Sequence, residues 1–159
     1  MPAWRRHGNR LETSGVVAGR DVVLIKPLTY MNRSGEALAA RQREEPFELD
    51  ELLVCVDDIA LPLGRLRLRP RGSEGGHNGL LSVIARLGSE EFPRLRVGIA
   101  PVDEEGNAVH LEDNVDYVLG AFRRPEQPVI DEAIERAADA IECVLAEGLT
   151  SAMNRFNAS

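Results

Sequence analysis

Four polar clusters in this 159-residue sequence combine residue types and spacing that can do chemistry: Tyr30-Met31-Asn32, Asp57-Asp58, His77-Asn78, and Arg69 with Arg96. Asn32 and Asn78 are carboxamides suited to orient a carbonyl or a water. Each also precedes a helical pattern, where an asparagine oxygen commonly caps a backbone N–H. Asp57 follows an apolar run, and a carboxylate there is either an ion-pair partner or the orienter of a catalytic base. His77 stands in Gly-Gly-His-Asn-Gly, either bonded to backbone at a helix start or facing a site. With no second His or Cys at ligand spacing, no metal is expected. The glycine-rich stretch 72–79 precedes a helix N-terminus, the usual setting of a phosphate site. It has neither the Lys-Ser/Thr ending of a P-loop nor a GxGxxG pattern.

Arg65, Arg67, Arg69 and Arg71 are spaced two apart around Leu66 and Leu68, which predicts a strand with one basic and one apolar face. Such a face is either solvated surface or a clamp for backbone phosphate, with Arg94 and Arg96 to add to it. Charge is unevenly spread. Residues 65–96 hold seven arginines against three glutamates, whereas 103–147 hold three arginines against thirteen acids. The net charge of −7 argues against a general nucleic-acid binder, but not against a basic patch on an acidic body.

These residues need elements to hold them. The length fits one domain over 1–159, and 43% hydrophobic with 28% charged residues excludes disorder and fibrous repeats. The pattern predicts a hairpin whose strands carry Val16-Val17 and Val22–Ile25, with no strand before it. Next come a helix over 36–44, a strand over 52–56 buried on both faces with Asp57-Asp58 at its end, and the basic strand 65–69. A helix starting near Asn78 and closed by Gly88, a strand over 95–100, an acidic loop over 103–113, a helix over 125–147 and a last helical turn over 151–156 follow. On the long helix Ile130, Ile134, Ala137, Ile141 and Val144 form the apolar stripe. Strands alternating with helices indicate an α/β domain with a twisted mixed sheet flanked by helices. Cys55 and Cys143 read as small buried core residues. The longest apolar run, 52–56, is too short to span a bilayer, and the first residues lack the apolar core of a signal peptide, so the cytoplasm is the expected compartment.

At the motif level the chain resembles the bacterial peptidyl-tRNA hydrolases. Lys26-Pro27-Leu28-Thr29-Tyr30-Met31-Asn32-Arg33-Ser34-Gly35 is similar to their KPxTYMNxSG box, and Val56-Asp57-Asp58-Ile59-Ala60-Leu61-Pro62-Leu63-Gly64 to HDDLDLPxG. Gly75-Gly76-His77-Asn78-Gly79-Leu80 resembles GGHNGL, and Phe92-Pro93-Arg94-Leu95-Arg96-Val97-Gly98-Ile99 resembles FxRLRIGIG. Asp116-Tyr117-Val118-Leu119-Gly120 and Ala152-Met153-Asn154 are similar to two C-terminal elements. The boxes cover nearly the whole chain in order.

The resemblance implies a single-domain, metal-free and cofactor-free enzyme, expected as a monomer. It would cleave the ester between a peptide and the 3′ ribose of tRNA. It implies that Asp57 orients a catalytic histidine, that Asn32 and Asn78 bind the peptide carbonyl and position the attacking water, and that Tyr30, Met31 and His77 line the site. Arg69 and Arg96 would hold tRNA phosphate. Two departures stand out. The family's opening strand and its TRHN box, which carries the general-base histidine and a further asparagine, have no counterpart here. His7, in Arg-Arg-His-Gly-Asn, precedes the hairpin and does not occupy that position. Val56 and Ala60 replace the His and Asp of the second box. The alternatives are a non-catalytic RNA-binding relative and an inactive truncated fragment.

Overall fold

The computed structural model describes residues 2–109 and 122–157. They form two compact units, one from the chain up to Leu53 together with Pro70–Pro93, the other from Val54–Arg69 together with the chain from Arg94 onward.

In the first unit β1 (Arg5–His7), β2 (Arg10–Val17) and β3 (Arg20–Pro27) make an antiparallel meander in the order β1-β2-β3. The expected hairpin is present, but it is longer than the valine runs, and β1 precedes it. Arg5-Arg6-His7 has no apolar alternation to announce a strand. It pairs through backbone, His7 opposite Arg10, across the tight turn at Gly8. The β2–β3 turn holds Ala18 at φ 51° and Gly19 at φ 75°. Two central residues at positive φ match the right-handed twist of the paired strands.

After a single 3-10 turn at Met31–Arg33, helix α1 (Ser34–Glu44) packs on α2 (Asn78–Leu87). The crossing is close because Gly35 lies against α2. A Cβ there would collide with the Ser82 carbonyl, and the Gly35 N–H instead donates to Ser82 Oγ at 2.9 Å. Ala37, Leu38, Leu80, Val83 and Phe92 are buried in this unit. As expected, α2 ends at Gly88, which is left-handed.

Among the described residues, the buried side-chain hydroxyl Oγ1 of Thr29, in the first unit, has no hydrogen-bond partner. An unsatisfied buried hydroxyl costs roughly 1–3 kcal/mol, so a methyl of similar shape does no worse. Thr29→Val is therefore expected to leave stability unchanged or raise it by up to about 1 kcal/mol, read as the urea midpoint.

The second unit holds β4 (Val54–Pro62), β5 (Leu66–Arg69) and β6 (Arg94–Ala100) in the order β4-β6-β5. β4 runs parallel to β6 and β5 antiparallel to it, so this sheet is mixed, as expected. A Cβ on Gly98 would strike the Pro62 carbonyl, where the β4–β6 register shifts between Asp58 and Pro62. In β5, Leu66 and Leu68 are buried while Arg67 and Arg69 are exposed, which is the predicted alternation. Asn157 donates to the Leu68 carbonyl at 2.9 Å and accepts from its N–H at 2.7 Å, shielding the open edge of β5.

Four expectations need correction in this unit. β4 is not a strand over 52–56 buried on both faces. It starts at Val54, runs to Pro62 and is mostly half-buried, because among the described residues it is an edge strand with a neighbour on one side alone. Asp57 accordingly sits within the strand, paired with Val97, rather than at its end. Cys55 is exposed, whereas Cys143 is buried as expected. On the long helix α3 (Gln127–Glu147) the buried positions are Ile130, Ala133, Ala140 and Cys143, while Ile134 is exposed. The inner face is rotated toward small residues, and Ile130 and Ala133 pack with Ile99, Ile59, Leu63, Val97 and Phe122. Helix α4 (Leu149–Phe156) closes the chain. Part of the acidic loop, residues 110–113, and the segment Asp116-Tyr117-Val118-Leu119-Gly120 lie outside the described residues. Among the described residues no helix is long and apolar enough to cross a membrane.

Candidate active site

The Tyr30-Met31-Asn32 and His77-Asn78 clusters come together in the first unit. Tyr30 is the extended residue that opens the 3-10 turn, and its side chain is exposed. Met31 follows in the turn, with its carbonyl accepting the Ser34 hydroxyl at 2.7 Å. A Cβ on Gly79 would lie 2.6 Å from Met31 Sδ and 2.9 Å from His77 Cε1. Gly79 is therefore the residue that lets Met31 and His77 close over the start of α2.

Neither asparagine is a helix cap. The residue that caps α2 is His77, whose Nδ1 accepts the Leu80 N–H at 3.0 Å, and α1 begins after Arg33 without a side-chain cap. Because Nδ1 is an acceptor in this bond, the proton of the neutral ring resides on Nε2. The cap reading of Asn32 and Asn78 thus falls away. Both side chains instead line one cavity of about 300 Å³ together with Arg33, Glu36, Leu81, Ser82, Ala85 and Arg86. Two primary amides in one concave site supply N–H donors and C=O acceptors to a ligand with a polar backbone.

The other candidates belong to the second unit. Asp57 is half-buried in β4. Its neighbour Asp58 accepts the Ala60 N–H at 2.8 Å and faces Arg96, with Arg96 Nη1 3.6 Å from Asp58 Oδ2. The Arg96 side chain is 11% exposed. Register pairs Arg67 with Arg96 and Arg69 with Arg94, which puts all four arginines on one face of the β5–β6 ladder. Arg69 is exposed and donates to the carbonyl of Leu68 at 3.1 Å, whereas Arg94 is buried. His7 lies exposed in β1. Among the described residues no group of three His, Cys, Asp or Glu side chains is placed to hold a metal ion.

The sequence reading missed Arg33, Glu36, Ser82 and Arg86 as cavity residues. Arg33–Glu36 spacing signals a local ion pair. Nothing local signals that Arg86, fifty residues on, joins the same glutamate.

In fold the chain is similar to solved hydrolases. The crystal structure of peptidyl-tRNA hydrolase from Acinetobacter baumannii superimposes with a TM-score of 0.86 and 30% identity, over 98% of this chain and 77% of that one. The family model described as peptidyl-tRNA hydrolase matches residues 3–159. The peptidyl-tRNA hydrolase of Chloroflexus aggregans is 50% identical over 144 residues, 90% of this chain and 73% of that protein. That of Bacillus subtilis is 45% identical over 150 residues, 94% of this chain and 77% of that protein. The chain belongs to the peptidyl-tRNA hydrolase family.

Proposed function

We propose that this chain hydrolyses the ester joining a peptide, or an N-blocked amino acid, to tRNA, and so returns tRNA to translation. The observation that carries the reading is the meeting of Asn32 and Asn78 in one cavity, each released from the capping role its position suggested. In the reaction a water attacks the ester carbonyl and gives its proton to a general base. The C–O bond to the ribose then breaks, and the ribose oxygen takes up a proton. An amide N–H from Asn78 or Asn32 stabilises charge developing on the carbonyl oxygen, and the partner amide holds the water or the next peptide carbonyl. Tyr30, Met31 and His77 border the site. Asp57 orients the basic histidine by accepting its N–H.

The base itself is assigned to the histidine segment that the family pattern places ahead of the first hairpin. The basic face supplies Arg69 and Arg96 for phosphate near the acceptor end of tRNA. Arg69 meets solvent directly, while Arg96 acts from its position beside Asp58. The enzyme works as a monomer in the cytoplasm, without metal.

The test extends the chain with the family's opening strand and histidine loop and offers it N-acetylated aminoacyl-tRNA and free aminoacyl-tRNA. The blocked substrate should be cleaved and the free one spared. His7→Ala should leave the rate unchanged, since His7 is exposed in β1. An extended chain that leaves the blocked substrate intact, under conditions where the Bacillus subtilis relative cleaves it, would overturn the reading. Activity that vanishes with His7→Ala would move the general base to His7.

A further inference from the structure

Beyond the two asparagines, the cavity runs along α2. Asn78, Leu81, Ser82, Ala85 and Arg86 are spaced by 3, 1, 3 and 1, so they share one helical face. At 1.5 Å per residue that stripe places Arg86 about 12 Å along α2 from Asn78, whereas Arg33 directly follows Asn32. That distance along α2 is roughly the span of three to four extended residues at about 3.3 Å each.

Arg86, at the far end of the stripe, joins an ion cluster with Glu36 of α1 and Arg33 of the preceding 3-10 turn. Glu36 of α1 accepts Arg33 Nε at 3.1 Å and Arg86 Nη2 at 3.0 Å, with Arg33 Nη2 3.1 Å from its second oxygen. The glutamate side chain is only 22% exposed, whereas those of Arg33 and Arg86 are 61% and 56% exposed. A guanidinium has five N–H donors. Glu36 engages two on Arg33 and one on Arg86, so it fixes both groups and leaves donors turned to solvent, with a net charge of +1.

We propose that the Arg33–Glu36–Arg86 cluster is a specificity site for the peptide of the substrate, favouring a carboxylate side chain up to three to four residues from the ester. The inference rests on the hydrolase reading above. Leu81 and Ala85 form an apolar floor that suits a peptide, while the carboxylate of Glu36 at the centre opposes a run of phosphates. A single acidic side chain can bridge the two arginines, each already oriented by Glu36, at little further cost in side-chain entropy.

The experiment compares kcat/KM of the extended, active chain on tRNA bearing an N-acetylated tetrapeptide whose first residue is Glu, Gln or Lys, with N-acetylaminoacyl-tRNA as a substrate too short to reach Arg86. Exposed ion pairs contribute up to about 1 kcal/mol, which is about fivefold, so Glu should exceed Gln by about that factor and Lys should be worst. Arg86→Gln and Arg33→Gln should each bring the Glu/Gln ratio toward one. Arg86→Lys should retain part of the preference. Equal rates on Glu, Gln and Lys peptides, with the short substrate still cleaved, would overturn the specificity site and spare the hydrolase assignment. Cleavage of none of them would overturn both. If Arg86→Gln slows long and short substrates alike and weakens binding of deacylated tRNA, the cluster contacts RNA and the peptide assignment is wrong.

Discussion

In the extended chain, Asn78→Ala should lower kcat/KM for an N-blocked aminoacyl-tRNA by about 10²–10³-fold, the loss typical of removing one donor to a developing oxyanion. The structure separates this from a folding defect. The α2 N-terminus is capped by His77 through the Leu80 N–H, so truncating Asn78 removes no cap. Its side chain is exposed and lines the cavity. Were Asn78 the cap, the same substitution would cost about 1 kcal/mol of stability and leave the chemistry untouched. Kinetics and thermal melting on one preparation discriminate the two. The melting temperature should hold while turnover collapses. Asn78→Asp should fail almost as badly, because an ionised carboxylate keeps the shape, loses the N–H donors and repels an oxyanion. A variant melting several degrees lower with turnover intact would return Asn78 to a structural role.

That contrast shows where sequence reasoning reached and where it stopped. The paired amides were legible because Asn32 and Asn78 sit in boxes dense enough to identify a family. The alternation around Leu66 and Leu68 foretold the basic face for a local reason: the two faces of a strand are written two residues apart. What escaped depends on neighbours remote in sequence. Leu52 to Val56 has the composition of a doubly buried strand, yet the number of strands beside it is a property of the sheet, and at the edge Cys55 is exposed. Ile134 looked like core because isoleucine is apolar, but the inner face of α3 is taken by Ala133, Ala140 and Cys143. His77 took the cap from Asn78 because a ring nitrogen can accept a backbone N–H as an amide oxygen does, and residue type alone does not decide between adjacent positions.

Arg10→Met should destabilise the first unit by about 3–5 kcal/mol, the usual cost of removing one partner from a buried ion pair. Arg10 is 1% exposed, and its guanidinium donates to Glu12 at 2.6 Å and to Glu44. Without it, the largely buried Glu12 carboxylate keeps Arg41 at 3.6 Å and loses its short bond. The penalty is the stranded charge more than the lost attraction, so Arg10→Met combined with Glu12→Leu should recover much of the stability. Acid supplies an independent check. The hydrogen bond from Arg10 holds the Glu44 carboxyl below the ordinary glutamate range, against a smaller opposing effect of burial. A depressed carboxyl stabilises the fold above its unfolded value, near 4.5, and that contribution is lost as pH falls through the lower folded value. The wild-type chain should therefore weaken on acidification below that point, and Arg10→Met should weaken less over the same window, since its Glu44 has no guanidinium bond to lose. Trp4, the single tryptophan of the chain, lies in this unit with Lys26 Nζ 4.2 Å above its ring, so its fluorescence in urea titrations at neutral and acid pH reports the unit's unfolding. Equal acid sensitivity in the two proteins would mean that the Arg10–Glu44 bond contributes nothing to the folded state.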